Sequence, residues 1–425
     1  MKKKKAPLVR RMKEFVKTSV VWGPLDHNLF FTIIFLNVYG IIMVYSASYN
    51  NSITKNYSYF MNNQLKNVIF GFVIMIVASY VNYHRIVRLG WGWFWLLAAV
   101  AIIAALKTPL AHSELGATRW IKLGPVSFQA AEPIKAAIII FFAYYVSYWG
   151  LNRWYNQLLA CLLAIALLGF LFFFSNNLST VIVLFCICAV IILSSVKKPD
   201  LYLYFLLGLA LIIIAAIFVT VYLLMHQGAE NFRFVRIRAW LHPEEYAADE
   251  GLQAMQARYA IGAGGFWGKG LGQSLIKFKL SYSYNDFILA IICEELGVFG
   301  VIVMMTLFGY LLYRIYKIAQ NAWDIEGKVL AIGVFTQIAL QLLINVMVVT
   351  SVIPTTGVTL PFFSAGGTSV VFLLAELGMV LNVDKYAKER RFFEEAERHV
   401  AQMEQRGGIG AAGWRRRLDS ARTRR

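Results

Sequence analysis

The sequence predicts an all-α, polytopic membrane protein with about ten transmembrane helices and a large extracytoplasmic loop between helices 7 and 8. Three observations carry that prediction. The 425-residue chain is 59% hydrophobic and only 15% charged, whereas soluble domains average about 45–50% apolar and about 25% charged residues. It contains a succession of apolar runs, each approaching the roughly 20 residues that a helix needs to cross a bilayer. Its formal charge of +18 gathers in alternate connections, as Lys and Arg do on the cytoplasmic side of a membrane.

Taken in order, spans are expected at 29–47, 67–81, 91–106, 131–148, 158–174, 178–193, 201–225, 287–318, 329–352 and 367–383. The basic start, Lys2 to Lys5, followed by apolar residues also has the outline of a signal peptide. The length of that apolar run, and the many runs after it, predict an uncleaved first span instead. Threading from a cytoplasmic N-terminus places His84, Arg85 and Arg88 inside, then Arg153, Lys197, Lys198, Arg314 and Lys317, and finally the arginine-rich tail. The span number is therefore even and both termini are cytoplasmic. Residues 1–28 form a basic cytoplasmic start, 29–383 the membrane domain, and 384–425 a cytoplasmic tail with a charged helical portion and a basic end. Topology accounts for the positive charge, so no nucleic-acid partner is expected. Cys161, Cys186, Cys188 and Cys293 all lie inside apolar runs without zinc-ligand spacing, and read as packing residues.

The same threading puts four polar segments outside: 50–66, 107–130, 226–285 and 351–366. Arg119, Lys122, Arg236, Arg258, Lys269 and Lys277 lie there against the positive-inside tendency. A cationic outer surface suits an anionic ligand or anionic lipid headgroups. The glycines between 262 and 272 permit close approach of backbone to a ligand. They do not make a nucleotide loop, because no strand–loop–helix unit surrounds them and Gly268-Lys269 is not followed by Ser or Thr. Interleaved Gln, Lys and Trp267 predict a folded loop over the membrane rather than a free linker.

Charged groups then collect at the outer ends of spans. Glu132 and Lys135 open the fourth span beside Pro133, with Glu at the favourable positive helix end and Lys one turn deeper, where the two can pair. Asp286 stands where the long loop meets the eighth span, and Glu294 follows about 12 Å further along a helix rising roughly 1.5 Å per residue. Carboxylates at or within a span are costly and usually face water, a partner or a functional cavity. For Asp286 the competing reading is a helix N-cap.

These residues resemble a known family. Arg119-Trp120-Ile121-x-Leu123-Gly124 with Phe128-Gln129-x-x-Glu132-x-x-Lys135 looks like a signature of the SEDS proteins, of which FtsW and RodA are the named types. So do Gln253-x-x-Gln256 through the glycine run to Asp286-Phe287-Ile288 and Glu294-Glu295-Leu296-Gly297, and Pro354 through Pro361 to Ser364-x-Gly366-Gly367-Thr368-Ser369. The resemblance spans about residues 26–382, and its wording at 348–354 leans toward the division type. It departs at 280–285, where the family carries Pro-Glu-x-His-Thr, and at Ala130-Ala131, Asn177 and Ala365, where Pro-Ser, Asp and Tyr are usual.

The resemblance implies a ten-span peptidoglycan glycosyltransferase that polymerises lipid II at the outer membrane face and releases undecaprenyl diphosphate. It implies Asp286 as the catalytic base toward the acceptor 4-hydroxyl. Arg119, Glu132, Lys135, Gln256, Lys269, Ser364 and Thr368 become substrate-binding residues, with Arg119, Lys135 and Lys269 facing the leaving diphosphate. No resident cofactor is evident; a divalent cation, magnesium or manganese, is the one cofactor the chemistry admits. Lipid II and a class B penicillin-binding protein transpeptidase are the implied partners. Two other classes compete. A lipid-linked precursor transporter would spread ionisable residues through the spans, and a non-catalytic scaffold for the transpeptidase would not need Asp286.

Overall fold

The computed structural model describes residues 21, 23–48, 59–109, 111–114, 117–123, 126–175, 177–196, 232–242, 244–246, 251–278, 284–365 and 367–405. The expected span at 201–225 lies outside the described residues, and every other expected span meets a helix. These are α1 (His27–Ser48), α2 (Tyr59–Tyr80), the short α3 (Tyr83–Val87) leading to α4 (Trp93–Ala105), α5 (Ala131–Trp149), α6 (Trp154–Ser175) and α7 (Leu178–Ser195). After them come α8 (Phe232–Leu241) and α9 (Leu252–Gly264) in the long loop, then α10 (Ile288–Asn321), α11 (Ile325–Val349) and α12 (Thr368–Gln405). Six of these helices are long and apolar enough by themselves to cross a membrane. Helix α5 carries Glu132 and Lys135 in its first turns, and α12 runs 38 residues into a strongly charged end.

The core is the centre of the bundle. Helices α5 and α11 pack together and are buried along most of their length, with Ile138, Phe141, Phe142 and Tyr145 in the same apolar cluster as Leu330, Val334 and Ile338. Outer faces keep their apolar side chains exposed, among them Phe31, Phe35, Ile69, Phe70, Leu162 and Phe173. Such a surface is stable only against lipid, where every backbone group must be satisfied inside the fold and helices do this segment by segment.

Two features went beyond the expected helices. Residues 107–130, expected only as a polar connection, contain an antiparallel meander of β1 (Ala111–Glu114), β2 (Ala117–Leu123) and β3 (Val126–Gln129). Alternation explains part of it: Ile121 is buried and Lys122 exposed, with Ile121 opposite Phe128 across the sheet. The second feature is a break in α10. Gly297 has φ +64° and ψ −164°, so the apolar run is two helices joined at one residue.

The glycine-rich turn after α9 fills that break. Lys269 and Gly270 donate their N–H groups to the Glu294 and Glu295 carbonyls, at 2.9 Å each, while Val298 and Phe299 donate to Gly265 and Phe266 at 3.1 Å. The loop thereby supplies the partners that the interrupted helix lacks. Close approach is obligatory: a Cβ on Gly264 would stand 1.8 Å from the Cys293 carbonyl oxygen. Of the glycines in 262–272, Gly264 and Gly268 thus form the packing surface against α10.

At the opposite end of the bundle, the basic connection 82–88 meets the acidic start of α11. Asp324 caps α11 by accepting from the Gly327 N–H at 2.7 Å, and its other oxygen accepts from the Tyr83 hydroxyl at 2.7 Å and lies 2.7 Å from His84 Nε2. Arg88 and Ser147 both bond Glu326, at 2.8 Å. Arg314 pairs with Asp26 nearby. Burial pushes the Asp324 carboxyl up, but the bonds from His84, the Gly327 N–H and Tyr83 outweigh it and hold it below the usual carboxylate range. A depressed carboxyl contributes stability that is present above its ordinary value and lost as pH falls through the lowered one. Melting of the detergent-solubilised protein should therefore drop as pH is taken from 7 toward 3. Asp324→Asn should melt lower at pH 7 and lose less between pH 5 and 3. A parallel loss in both proteins would remove Asp324 from the acid limb.

Candidate active site

The candidate site is built on three consecutive carbonyl groups. Tyr284, Asn285 and Asp286 form a turn ahead of α10, and each backbone oxygen is held by a different donor. The Ala365 N–H donates to the Tyr284 oxygen at 2.8 Å, the Ser364 hydroxyl to the Asn285 oxygen at 2.8 Å, and Asn345 Nδ2 to the Asp286 oxygen at 2.9 Å. The donors are themselves tied. Asn345 Nδ2 also donates to the Val358 oxygen at 2.9 Å, and the Ser364 hydroxyl accepts from the Leu360 N–H at 2.7 Å. The 351–365 loop, α11 and the Asp286 turn therefore form one hydrogen-bonded block. Its floor is apolar: Phe362 and Phe363 are 1% and 0% exposed and pack on Phe308 of α10. Above it the Tyr284 ring lies 4.3 Å from that of Phe60 on α2.

This geometry bears on the capping alternative. The N-cap of α10 is Phe287, with no side-chain capping bond, so Asp286 sits one residue before the cap position. Its side chain is partly exposed, and it has an interaction partner besides the carbonyl bond. A carboxylate held by its own backbone at a helix mouth suits general-base work, in which geometry precedes acidity.

The expected substrate residues fall into distinct places. Glu132 and Lys135 form a buried ion pair at 2.9 Å, 4% and 3% exposed, at the start of α5. Lys269 pairs with Glu294 at 2.7 Å, and about a third of its side chain is exposed. Ser364 belongs to the clamp, and Thr368 opens α12 beside β3, its hydroxyl 3.5 Å from the Ser127 oxygen. Gln256 lies on α9 with its Oε1 buried and unpartnered. Arg119 lies on β2, and its side chain is outside the described residues. Glu294 and Glu295 are fully buried and committed to the loop. Glu294 accepts from Lys269, Ser274 and the N–H groups of Leu275 and Ile276, and Glu295 from Ser46, the Ser274 N–H and Lys277. The partner that two carboxylates inside a span require is thus the loop, and their work is to seat it.

Sequence reasoning missed Asn345. The signal was available: Gln337, Gln341 and Asn345 recur every four residues in an otherwise apolar span, which puts three amides on one helix face. All three are buried. Among the described residues no group of three or more His, Cys, Asp and Glu side chains is placed to hold a metal ion. The carboxylates of Glu132, Glu294 and Glu295 are already bonded to lysines and serines.

Comparison with known proteins places the chain. Residues 26–389 match the model of the cell cycle protein family of FtsW, RodA and SpoVE. A relative named probable peptidoglycan glycosyltransferase FtsW, from Bacillus subtilis (strain 168), is 32% identical over 374 residues, covering 85% of this chain and 91% of the relative. Stage V sporulation protein E of the same organism is 33% identical over 372 residues, covering 84% and 96%. Two solved structures share the fold. One is described as the structural coordination of polymerization and crosslinking by a peptidoglycan synthase complex (TM-score 0.70, 23% identity, 86% of this chain and 98% of that one). The other is the rod shape determining protein RodA of Thermus thermophilus (TM-score 0.61, 22% identity, 86% and 98%).

The clamp makes a quantitative prediction. Removing one member should move Asp286 without removing its carboxylate, and misplacement of a reacting group by about 1 Å costs on the order of a hundredfold in rate. Asn345→Leu and Ser364→Ala should each lower turnover by about ten- to a hundredfold with the apparent KM little changed, measured in steady-state polymerisation at matched melting temperature. Wild-type turnover in both would show that the three carbonyl bonds do not position the site. By sequence, by topology and by the order of its motifs, the chain belongs to the FtsW, RodA and SpoVE family of cell cycle proteins, and it is a multi-pass membrane protein.

Proposed function

We infer that the chain has the activity its curated relatives are named for: it is a peptidoglycan glycosyltransferase, and its substrate is lipid II. The observation that carries this reading is the Asp286 turn, a carboxylate at the mouth of a broken helix, with two of its three carbonyls held by the loop bearing the family's Pro354–Ser369 motif and the third by Asn345 of α11. In the reaction, Asp286 accepts the proton of the acceptor sugar's 4-hydroxyl. The freed oxygen attacks the anomeric carbon of the donor's N-acetylmuramic acid, and the bond from that carbon to the diphosphate oxygen breaks. Undecaprenyl diphosphate departs with the bonding pair, and the strand grows by one disaccharide.

The leaving diphosphate needs positive charge that is already oriented. Lys269 is the more accessible candidate, since Lys135 is 3% exposed, and Arg119 is carried on the β2 strand. Each lysine is already bonded to a glutamate, which fixes its position and moderates its charge. Magnesium or manganese is accordingly proposed as a companion of the substrate's diphosphate rather than a resident of this chain. The basic connections imply that both termini are cytoplasmic and that Asp286 faces outward, where the 226–285 loop and the 107–130 sheet would also lie. A class B penicillin-binding protein transpeptidase is the proposed partner. Polymerization and crosslinking act together in the synthase complex of the structural neighbour, which supports this pairing. The division role is proposed from the relatives and from the wording at 348–354.

The test is lipid II polymerisation by purified protein, with and without the transpeptidase. Wild type should make glycan strands and Asp286→Asn none, a loss of at least a thousandfold, with both proteins melting alike. Equal strands from both would reduce Asp286 to a structural residue and favour the scaffold.

A further inference from the structure

Beneath the Glu132–Lys135 pair the bundle holds another ionisable group that neither the mechanism nor the family motifs use. Glu376 lies on α12, eight residues and about 12 Å below Thr368 at helical rise. It is 1% exposed. One of its oxygens accepts from Gln337 Nε2 at 2.8 Å, and the other, like Gln337 Oε1, is buried with no partner. A polar atom left unpaired in an apolar bundle is costly, and more so if charged. Such groups are few in folded proteins, and an ionisable one inside a span calls for a functional account.

Helix register shows what stands above it. Helices α5 and α11 run antiparallel, and a Cβ on Gly333 would meet the Ile139 side chain at 2.6 Å. One turn toward the outer end, Gln337 therefore comes level with Lys135. Helix α12 packs on both α5 and α11 and brings Glu376 to the same place. The electrostatics agree, since Lys135 and then Glu132 are the charged groups that act most on Glu376. Helix α2 meets the other side of α12, through contacts of Gly71 with Leu374 and of Gly378 with Met75. Lys135 bonds both oxygens of Glu132. Its ammonium has three donors, so one is not taken up by Glu132, while the free Glu376 oxygen stays unbonded and feels Lys135 only through its charge.

We propose that Glu376, held by Gln337, is a positioning residue for Lys135: it supports the ammonium from below so that the pair presents a fixed charge to the diphosphate of a lipid-linked donor. The proposal rests on the glycosyltransferase reading and adds to it residues that lie in none of its motifs. It requires Glu376 to act through Lys135 and to affect binding more than turnover. A residue that merely filled space would affect neither selectively.

The experiment separates the two claims. Binding of lipid II is measured without turnover, by melting shift or fluorescence, and polymerisation is measured beside it. Wild type against Asp286→Asn in polymerisation tests the enzyme reading, and the binding series tests Glu376. Glu376→Leu should weaken lipid II binding about tenfold and raise KM by a similar factor, leaving kcat within about twofold. Glu376→Gln, which keeps the shape and hydrogen-bonding capacity, should recover most of the affinity. Gln337→Leu should weaken binding in the same direction and gives the result should Glu376→Leu fail to fold. In a Lys135→Met background, Glu376→Leu should add no further loss, because the partner through which it acts is gone. Wild-type affinity in Glu376→Leu or in Gln337→Leu would overturn the proposal. So would losses that multiply with Lys135→Met, or a Glu376→Gln variant no better than the leucine.

Discussion

The fold turns on one constraint: a backbone that leaves helical geometry inside a membrane protein must find its hydrogen-bond partners within the protein. The chain leaves helical geometry at two places next to each other, the Asp286 turn and the break at Gly297, and each is repaired by a different loop. The 351–365 loop and Asn345 hold the carbonyls of residues 284–286. The glycine-rich turn after α9 exchanges four backbone bonds with residues 294–299. Between the two repairs lies the short first half of α10, which is locked at both ends. A carboxylate at the mouth of such a segment has little freedom to wander, and a general base needs that constraint more than it needs an unusual acidity.

Buried charge serves the same end. Among the described residues, four buried glutamates lie within the bundle near the site, and three of them are paired: Glu132 with Lys135, Glu294 with Lys269, and Glu295 with Lys277. Breaking a buried pair by removing one member typically costs about 3–5 kcal/mol. That cost is the penalty of a buried charge left without its partner, so the pairs hold the loop and α5 in one arrangement and leave cationic groups at that end of the bundle. Glu376 is the fourth, and one of its oxygens is open.

The helical architecture was legible because lipid simplifies the problem. Apolar runs 29–47, 158–174 and 178–193 became α1, α6 and α7 with ends shifted by a few residues, and the pairing of Glu132 with Lys135 followed from their spacing along α5. The meander at 111–129 was not legible, because its strands are four to seven residues long and interrupted by turns. Nor was the seat of the glycine-rich turn. Glycine density announces close approach without naming what is approached, and here it is the backbone at Cys293 to Phe299. Glu294 and Glu295 looked like candidates for chemistry for the same reason: sequence shows that a buried carboxylate needs a partner, and only the fold shows that the partner is Ser274, Lys269 or Lys277. Asn345 was hidden among apolar neighbours, and only its four-residue spacing from Gln341 and Gln337 marked the face it shares.

The most direct measurement of the central claim is an experimental structure of the protein with a lipid II acceptor and a non-cleavable donor bound. The account predicts the Asp286 carboxylate about 3 Å from the acceptor's 4-hydroxyl, with the carbonyls of residues 284–286 still held by Ala365, Ser364 and Asn345. A structure in which another group approaches that hydroxyl, or in which the three carbonyl bonds are broken while the sugars are in place, would contradict it.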